Sequence, residues 1–216
     1  MPTLILALFT LISAFIHIRA EYRGPRKHVY IFKPLTTILI LLNAVQLGWS
    51  DPSLYKYAIL AGLIFSLAGD VFLMLPSDRF IAGLVSFLTG HIFYIVAFTS
   101  GTGFSFSLLS LLPFAIYGAV MFTILAPHTG KMKLPVSAYI AVILVMVWQA
   151  CVRLGQTGGT DALLAFLGAG LFVISDSVLA MDRFRGKFKA ARLLTSITYF
   201  SAQWLIALSL GQGILF

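Results

Sequence analysis

The sequence predicts an all-α polytopic membrane protein, a single bundle of eight transmembrane helices spanning residues 1–216 as one domain. Three observations carry this. Sixty percent of the residues are hydrophobic and only 10% are charged, with a mean hydropathy of +0.99, whereas soluble domains carry about 25% charged residues. Apolar runs of about 20 residues, the length needed to cross a bilayer, recur along the whole chain. Basic residues collect in every second connection between those runs, which is the charge pattern of a multi-pass membrane protein.

The first run, residues 2–18, has no basic segment before it and no small-x-small cleavage site. Its positive charge follows the apolar stretch, so it reads as a first span and not as a cleaved leader. The second, 33–49, opens at Phe32-Lys33-Pro34, with proline in a first helical turn, where it is tolerated. Both are short, and amphipathic ends are expected to extend them. The third (56–75) carries Asp70, the fourth (80–98) His91 near its middle. The fifth (106–125) is almost wholly apolar. The sixth (134–152) contains Tyr139 and ends at Cys151. The seventh (161–181) contains Asp176. It opens at Asp161 after Gly158-Gly159-Thr160, where a carboxylate suits the positive end of a helix dipole. The eighth (193–213) contains Tyr199 and Gln203, one helical turn apart on one face.

Thirteen of the 15 Lys and Arg residues fall at or after spans one, three, five and seven; the exceptions are Lys56 and Arg153. The positive-inside rule then predicts cytoplasmic odd-numbered connections and both termini outside the cytoplasm. With these cations in short loops, the net charge of +8 points to anionic lipid headgroups as partners and away from nucleic acid. A single cysteine, Cys151, excludes an internal disulfide and a Cys-based zinc site, and reads as a small packing residue.

Two aspartates inside apolar spans are the features that demand a function. A carboxylate at membrane depth costs roughly 3 kcal/mol on insertion scales, so chains keep one chiefly where it faces a protein interior or a wet cavity. The predicted topology puts Asp70 and Asp176 each about 8–9 Å above the cytoplasmic ends of their helices. Lys33 and His91 are expected to converge on them. Gly62, Ser66 and Gly69 beside Asp70, and Gly168, Ala169 and Phe172 beside Asp176, let neighbouring helices approach and turn the carboxylates inward. Asp70 and Asp176 stand 106 residues apart, and each span runs on into Asp-Arg-Phe, at Asp78-Arg79-Phe80 and Asp182-Arg183-Phe184. A 4+4 parallel repeat is one reading of this match; chance likeness among apolar helices is the other.

Two carboxyl groups in a low-dielectric site can divide the work of general acid and base, one kept neutral by burial and the other kept ionised by a cation. Lys33 is the candidate cation, against a role as a lysine that merely reaches for the interface. His91, Tyr94, Tyr139, Tyr199 and Gln203 are candidate supporting or substrate-binding residues; the competing role is plain interhelical hydrogen bonding. His17, His28 and His128 sit at span ends or in loops, too scattered to build a metal site with Asp70 and Asp176, so no metal is expected. No phosphate-binding glycine loop, Gly-x-Ser-x-Gly elbow or His-Glu-x-x-His element occurs, which leaves serine-hydrolase and zincin chemistry without support.

Several of these segments resemble the YhhN family of lysoplasmalogenase-like membrane proteins. They are Lys33-Pro34, Phe65-Ser66-Leu67-Ala68-Gly69-Asp70-Val71-Phe72-Leu73 and Phe87-Leu88-Thr89-Gly90-His91-Ile92-Phe93-Tyr94. Gly168-Ala169-Gly170-Leu171-Phe172-Val173-Ile174-Ser175-Asp176-Ser177 and Tyr199-Phe200-Ser201-Ala202-Gln203-Trp204-Leu205 complete the likeness. It covers spans two to eight. The resemblance implies an eight-span fold, hydrolysis of the vinyl ether of a lysoplasmalogen to a fatty aldehyde and a glycerophospho-base, and catalytic roles for Asp70 and Asp176. No cofactor is required, since a vinyl ether hydrolyses after protonation of its β-carbon through an oxocarbenium ion, the kind of intermediate that carboxylate pairs handle in glycosidases. Intramembrane acids and parallel repeats also occur in proton- or cation-coupled transporters, which is the competing reading.

Overall fold

A computed structural model describes residues 2–48 and 53–211. Among them are eight α-helices and no strand: α1 (Pro2–Arg23), α2 (Arg26–Leu47), α3 (Leu54–Met74), α4 (Phe80–Thr99), α5 (Leu108–Leu125), α6 (Lys133–Thr157), α7 (Thr160–Ala180) and α8 (Ala191–Leu208). Seven of them, α1 to α7, are long and apolar enough to cross a membrane. The eighth is not among the seven, because Arg192, Thr195, Ser196, Thr198, Tyr199, Ser201 and Gln203 dilute its apolar run. Residue 49, expected to end the second span, and residues 212 and 213, expected to end the eighth, lie outside the described residues.

The first two helices extend beyond their apolar runs through polar ends, as expected, α1 to Arg23 and α2 back to Arg26, but Pro34 is not in a first turn. α2 begins at Arg26, not at residue 33, so Lys33 and Pro34 lie inside the helix. Pro25, extended at φ −69° and ψ 137°, sets the start. Arg26, Lys27 and His28 form a first turn too polar for the hydrocarbon but suited to its edge. Inside the helix Pro34 has no N–H to donate one turn back, and Tyr30 loses that partner. α7 also runs past its expected end, through a π-helical turn at Met181–Arg185. The remaining boundaries follow local chemistry. Ser53 and Ser107 cap α3 and α5 by accepting from the N–H groups of Lys56 and Ser110. Gly158, at φ 67°, ends α6 in the left-handed conformation that glycine adopts without penalty.

The closest helix pairs are α3 with α4 and α7 with α8; α4 also packs on α6, and α2 on α8. Small residues make the close pairs possible. A Cβ on Gly62 would stand 2.3 Å from the Tyr94 ring, and one on Gly69 2.5 Å from Phe87. On α7, a Cβ on Gly168 would meet the Ala202 carbonyl at 2.8 Å. These notches lodge two α4 aromatics in α3 and bring the α7 and α8 backbones together, the usual way apolar helices associate in lipid. The core they surround includes Ile59, Leu63, Phe98, Met146, Phe172 and Ile206, all fully buried. α5 is peripheral; of its residues only Gly118 and Leu125 are buried.

Candidate functional site

Asp70 is fully buried, with 0% of its side chain accessible, and every oxygen contact it makes is to another helix. Lys33 Nζ on α2 lies 3.2 Å from Oδ1. Thr37, one turn further along α2, donates to Oδ2 at 2.7 Å. Tyr199 on α8 donates to the same oxygen at 2.7 Å, and Gln203 Nε2 in turn donates to the Tyr199 hydroxyl at 2.7 Å. Lys33 also sits 6.0 Å from the centre of the Tyr199 ring. A carboxylate with a cation and two hydroxyl donors meets the requirement that a buried charge be paired and hydrogen-bonded.

Asp176 has a different setting. Its Oδ2 is hydrogen-bonded to the Tyr139 hydroxyl on α6, and among the described residues no cation pairs with it. The side chain reaches a narrow cavity between α3, α4, α5, α6 and α7. The walls are apolar, from Leu73, Phe87, Met121 and Ile143, with Asp176, Tyr139, Tyr117 and Ser177 as the polar groups. The Tyr117 and Ser177 hydroxyls lie 2.7 Å apart and tie α5 to α7 at the wall. Asp70 does not line this cavity.

A layer of rings from α4 and α7 stands among these groups. Phe87 packs edge-on to Tyr199 at 5.8 Å, and His91 edge-on to Tyr139 at 5.3 Å. Phe172 touches His91 at 4.8 Å and Tyr199 at 5.4 Å. The partners of both aspartates are therefore held by one aromatic cluster. His91 is fully buried, and neither ring nitrogen has a partner among the described residues. Tyr94, also fully buried, stacks on Phe98 at 6.3 Å. Among the described residues no group of His, Cys, Asp and Glu side chains could hold a metal ion.

The structure thus gathers Asp70, Lys33, Tyr199 and Gln203 in one network and Asp176 with Tyr139 in a second; His91, expected to converge on the aspartates, instead packs on Tyr139 and meets Tyr199 only through Phe172. Sequence reading missed Thr37, and it placed Phe87 in a family-like segment without assigning it the contact with Tyr199. Thr37 stands four residues after Lys33, on the same helical face, and that spacing was its signal. A phenylalanine among 19 gives none.

At the basic end of the bundle the two Asp-Arg-Phe segments dock on each other. Arg183 Nη2 donates to both Asp78 oxygens, at 3.0 and 2.8 Å. The Arg183 guanidinium also lies 4.8 Å from the centre of the Phe80 ring, and Phe80 meets Phe184 edge-on at 5.7 Å. The segment after α7 is held to α1 as well: Arg192 pairs with Glu21 at 3.4 Å, and the Tyr22 hydroxyl donates to the Lys189 carbonyl at 2.9 Å.

Together these features define a class, the multi-pass helical membrane proteins that keep ionisable side chains inside the bundle. The signature of the YhhN family extends over residues 29–210, and the chain belongs to that family. It is 34% identical over 199 residues to the uncharacterized membrane protein YhhN of Escherichia coli O6:H1, covering 92% of this chain and 95% of that protein. It is 34% identical over 189 residues to the human lysoplasmalogenase TMEM86B, covering 86% and 78%. Against the bovine lysoplasmalogenase TMEM86A it is 34% identical over 184 residues, covering 82% and 74%. No solved structure matches the chain.

Proposed function

We propose that this protein is a membrane-embedded hydrolase that cleaves the vinyl ether of lysoplasmalogens, releasing a fatty aldehyde and a glycerophospho-base. Relatives named lysoplasmalogenase at 31–36% identity support the reaction class. The observation that carries the chemistry is the contrast between the two aspartates: Asp176, partnered by a phenol, opens on an apolar cavity, and Asp70, partnered by Lys33, is buried nearby.

In this mechanism the alkenyl chain lies in the apolar cavity and protonated Asp176 delivers its proton to the β-carbon of the vinyl ether. The resulting oxocarbenium ion is stabilised by negative charge, from Asp70 and from Asp176 once it has given up its proton. Water adds to the α-carbon and gives up a proton to a carboxylate. The hemiacetal then collapses: the protonated carboxyl gives a proton to the glycerol oxygen as its bond to carbon breaks, the hemiacetal hydroxyl returns one to the carboxylate, and the aldehyde leaves. Asp70 does not line the cavity, which favours a role as a fixed charge over contact with the lipid. Tyr139, Tyr199, Gln203, His91 and Tyr94 hold the two carboxyls in their different surroundings. No cofactor enters the scheme.

The same reading takes residues 1–216 as one domain, all eight helices as crossings and both termini as extracytoplasmic, with anionic lipid headgroups against the basic loops. The 4+4 repeat gains support from two relationships. Exchanging each helix of α1–α4 with its counterpart in α5–α8 turns the α2–α8 contact into the α6–α4 contact, and both are present. Lys33 and Tyr139 are 106 residues apart, like Asp70 and Asp176, and each contacts the aspartate of its own half. The test is aldehyde release from a lysoplasmalogen by the purified protein in detergent. Flux of a solute into vesicles without aldehyde release would instead favour the transporter.

A further inference from the structure

The basic end of the bundle holds a cavity lined by five cations, Arg26, Lys33, Arg183, Lys187 and Arg192, against the carboxylates Glu21 and Asp78. Among the described residues, neither Arg26 nor Lys187 has a carboxylate partner. Leu73 belongs to the wall of this cavity and also to that of the apolar cavity that Asp176 enters. A neighbouring basic hollow, lined by Arg183, Lys187, Lys189 and Arg192, shares Leu73, Phe80 and Leu179 with the apolar cavity. A concentration of positive charge therefore adjoins a slot for hydrocarbon, with the Asp78–Arg183 pair lining both basic spaces.

We propose that Arg183 and Lys187 form the seat for the phosphate of a single-chain lipid, and that Asp78 is an internal anion which this phosphate displaces from Arg183. The proposal deepens, and rests on, the reading of the chain as a hydrolase of a single-chain phospholipid. Three features favour an exchange of anions over a permanent strut. The pair is half-exposed, 44% at Arg183 and 65% at Asp78, and exposed pairs contribute little to stability. Asp78 is the described non-glycine residue with positive φ, at 42°, a backbone conformation that is costly to hold. Arg183 lies in the π-helical turn Met181–Arg185, and such turns are frequent at functional sites. Only Nη2 of the guanidinium engages Asp78, so the rest of its donor fork can meet a phosphate oxygen before the carboxylate leaves. Phe80, stacked on the guanidinium, keeps it in place during the exchange.

The experiment measures binding of a saturated 1-O-alkyl lysophosphocholine, which has no vinyl ether, to the purified full-length protein in a neutral sugar detergent. The comparators are the phosphate-free 1-O-alkylglycerol and inorganic phosphate alone. The expected result is at least about 10-fold tighter binding of the phospholipid than of the alkylglycerol, the scale of one charge-assisted hydrogen bond. Arg183→Met should lose about 10-fold for the phospholipid and nothing for the alkylglycerol, and Lys187→Met should lose less. Asp78→Asn should bind the phospholipid more tightly, by about 3-fold, because it removes the competitor. If Arg183→Met and Asp78→Asn weaken binding alike, the pair is a strut and the proposal is overturned. Inorganic phosphate binding as tightly as the lipid also overturns it, as the site would then serve a free anion. Aldehyde release separates the two levels. Phosphate-dependent binding with no aldehyde from any alkenyl lipid overturns the hydrolase and leaves the seat. Equal cleavage of lysoplasmalogen and 1-alkenylglycerol, unchanged in Arg183→Met, overturns the seat and leaves the hydrolase.

Discussion

Lys33 stands 3.2 Å from Asp70, while the residue 106 positions later, Tyr139, offers Asp176 a neutral hydroxyl. Under the proposed mechanism this one difference divides the labour, because a proton donor must hold its proton at working pH and a charge partner must not. Asp176→Asn and Asp70→Asn are each expected to cut lysoplasmalogen turnover by about 100-fold or more, the scale of a missing general acid, while the protein stays monodisperse and still binds lysolipid. Near wild-type aldehyde release from both variants would sink the paired-carboxylate mechanism. Lys33→Met should lower turnover less than either, since Thr37 and Tyr199 still hold the Asp70 carboxyl in place; a loss as deep as that of Asp70→Asn would give the lysine a direct role. At this scale the sequence was informative wherever a charge stood alone among apolar residues, as with Asp70, Asp176 and Lys33. For Thr37 it offered only the four-residue spacing from Lys33, a weak signal because threonine in a membrane helix ordinarily bonds back to its own backbone, as Thr36 does to Phe32 here.

The α3–α4 pair depends on bare backbone at Gly62 and Gly69, where the rings of Tyr94 and Phe87 enter the helix surface. Phe87 goes on to touch Tyr199, so the fit of two helices is transmitted to the group that holds Asp70. Gly62→Val would drive a methyl into the Tyr94 ring, and overpacking of this kind costs about 1–3 kcal/mol. A drop of roughly 5 °C or more in thermal unfolding in detergent is expected. Gly170→Ala is the control, since a Cβ there meets nothing within 4 Å, and its melting temperature should not move. Helix existence was legible throughout, because runs of apolar residues can hide their backbone in lipid only as helices. The exact start of α2 was not, because its first turn is charged and a reading based on apolarity stops where the hydrocarbon does, even where an amphipathic extension is expected. The cavity was not legible either; its walls come from α3 to α7 and arise only when those helices pack.

Across the whole molecule, thirteen of fifteen basic residues fall in or beside the connections that follow α1, α3, α5 and α7, and the eight-crossing reading follows if α8 traverses the membrane. A cysteine-free background is within reach, since Cys151 is the sole thiol. Single cysteines replacing Lys187 and Gly211, on either side of α8, should then be labelled from opposite faces of sealed vesicles, Lys187→Cys from the cytoplasmic one. Labelling of both from one face would mean that α8 does not cross.

The order in which the chain is made gives α8 a further meaning. Tyr199 and Gln203 are carried by α8, which is made after α1 to α7, so Asp70 is without its Tyr199 hydrogen bond until that helix emerges. A helix this polar is poorly equipped to partition into lipid by itself. It finds its place because α2 and α7 already offer a docking surface with matching polar groups. The network around Asp70 is then finished only when α8 docks. A nascent or truncated chain lacking α8 holds the acid-bearing helices without the assembled network, and under the proposed function the bilayer in which it is being built meets no working hydrolase.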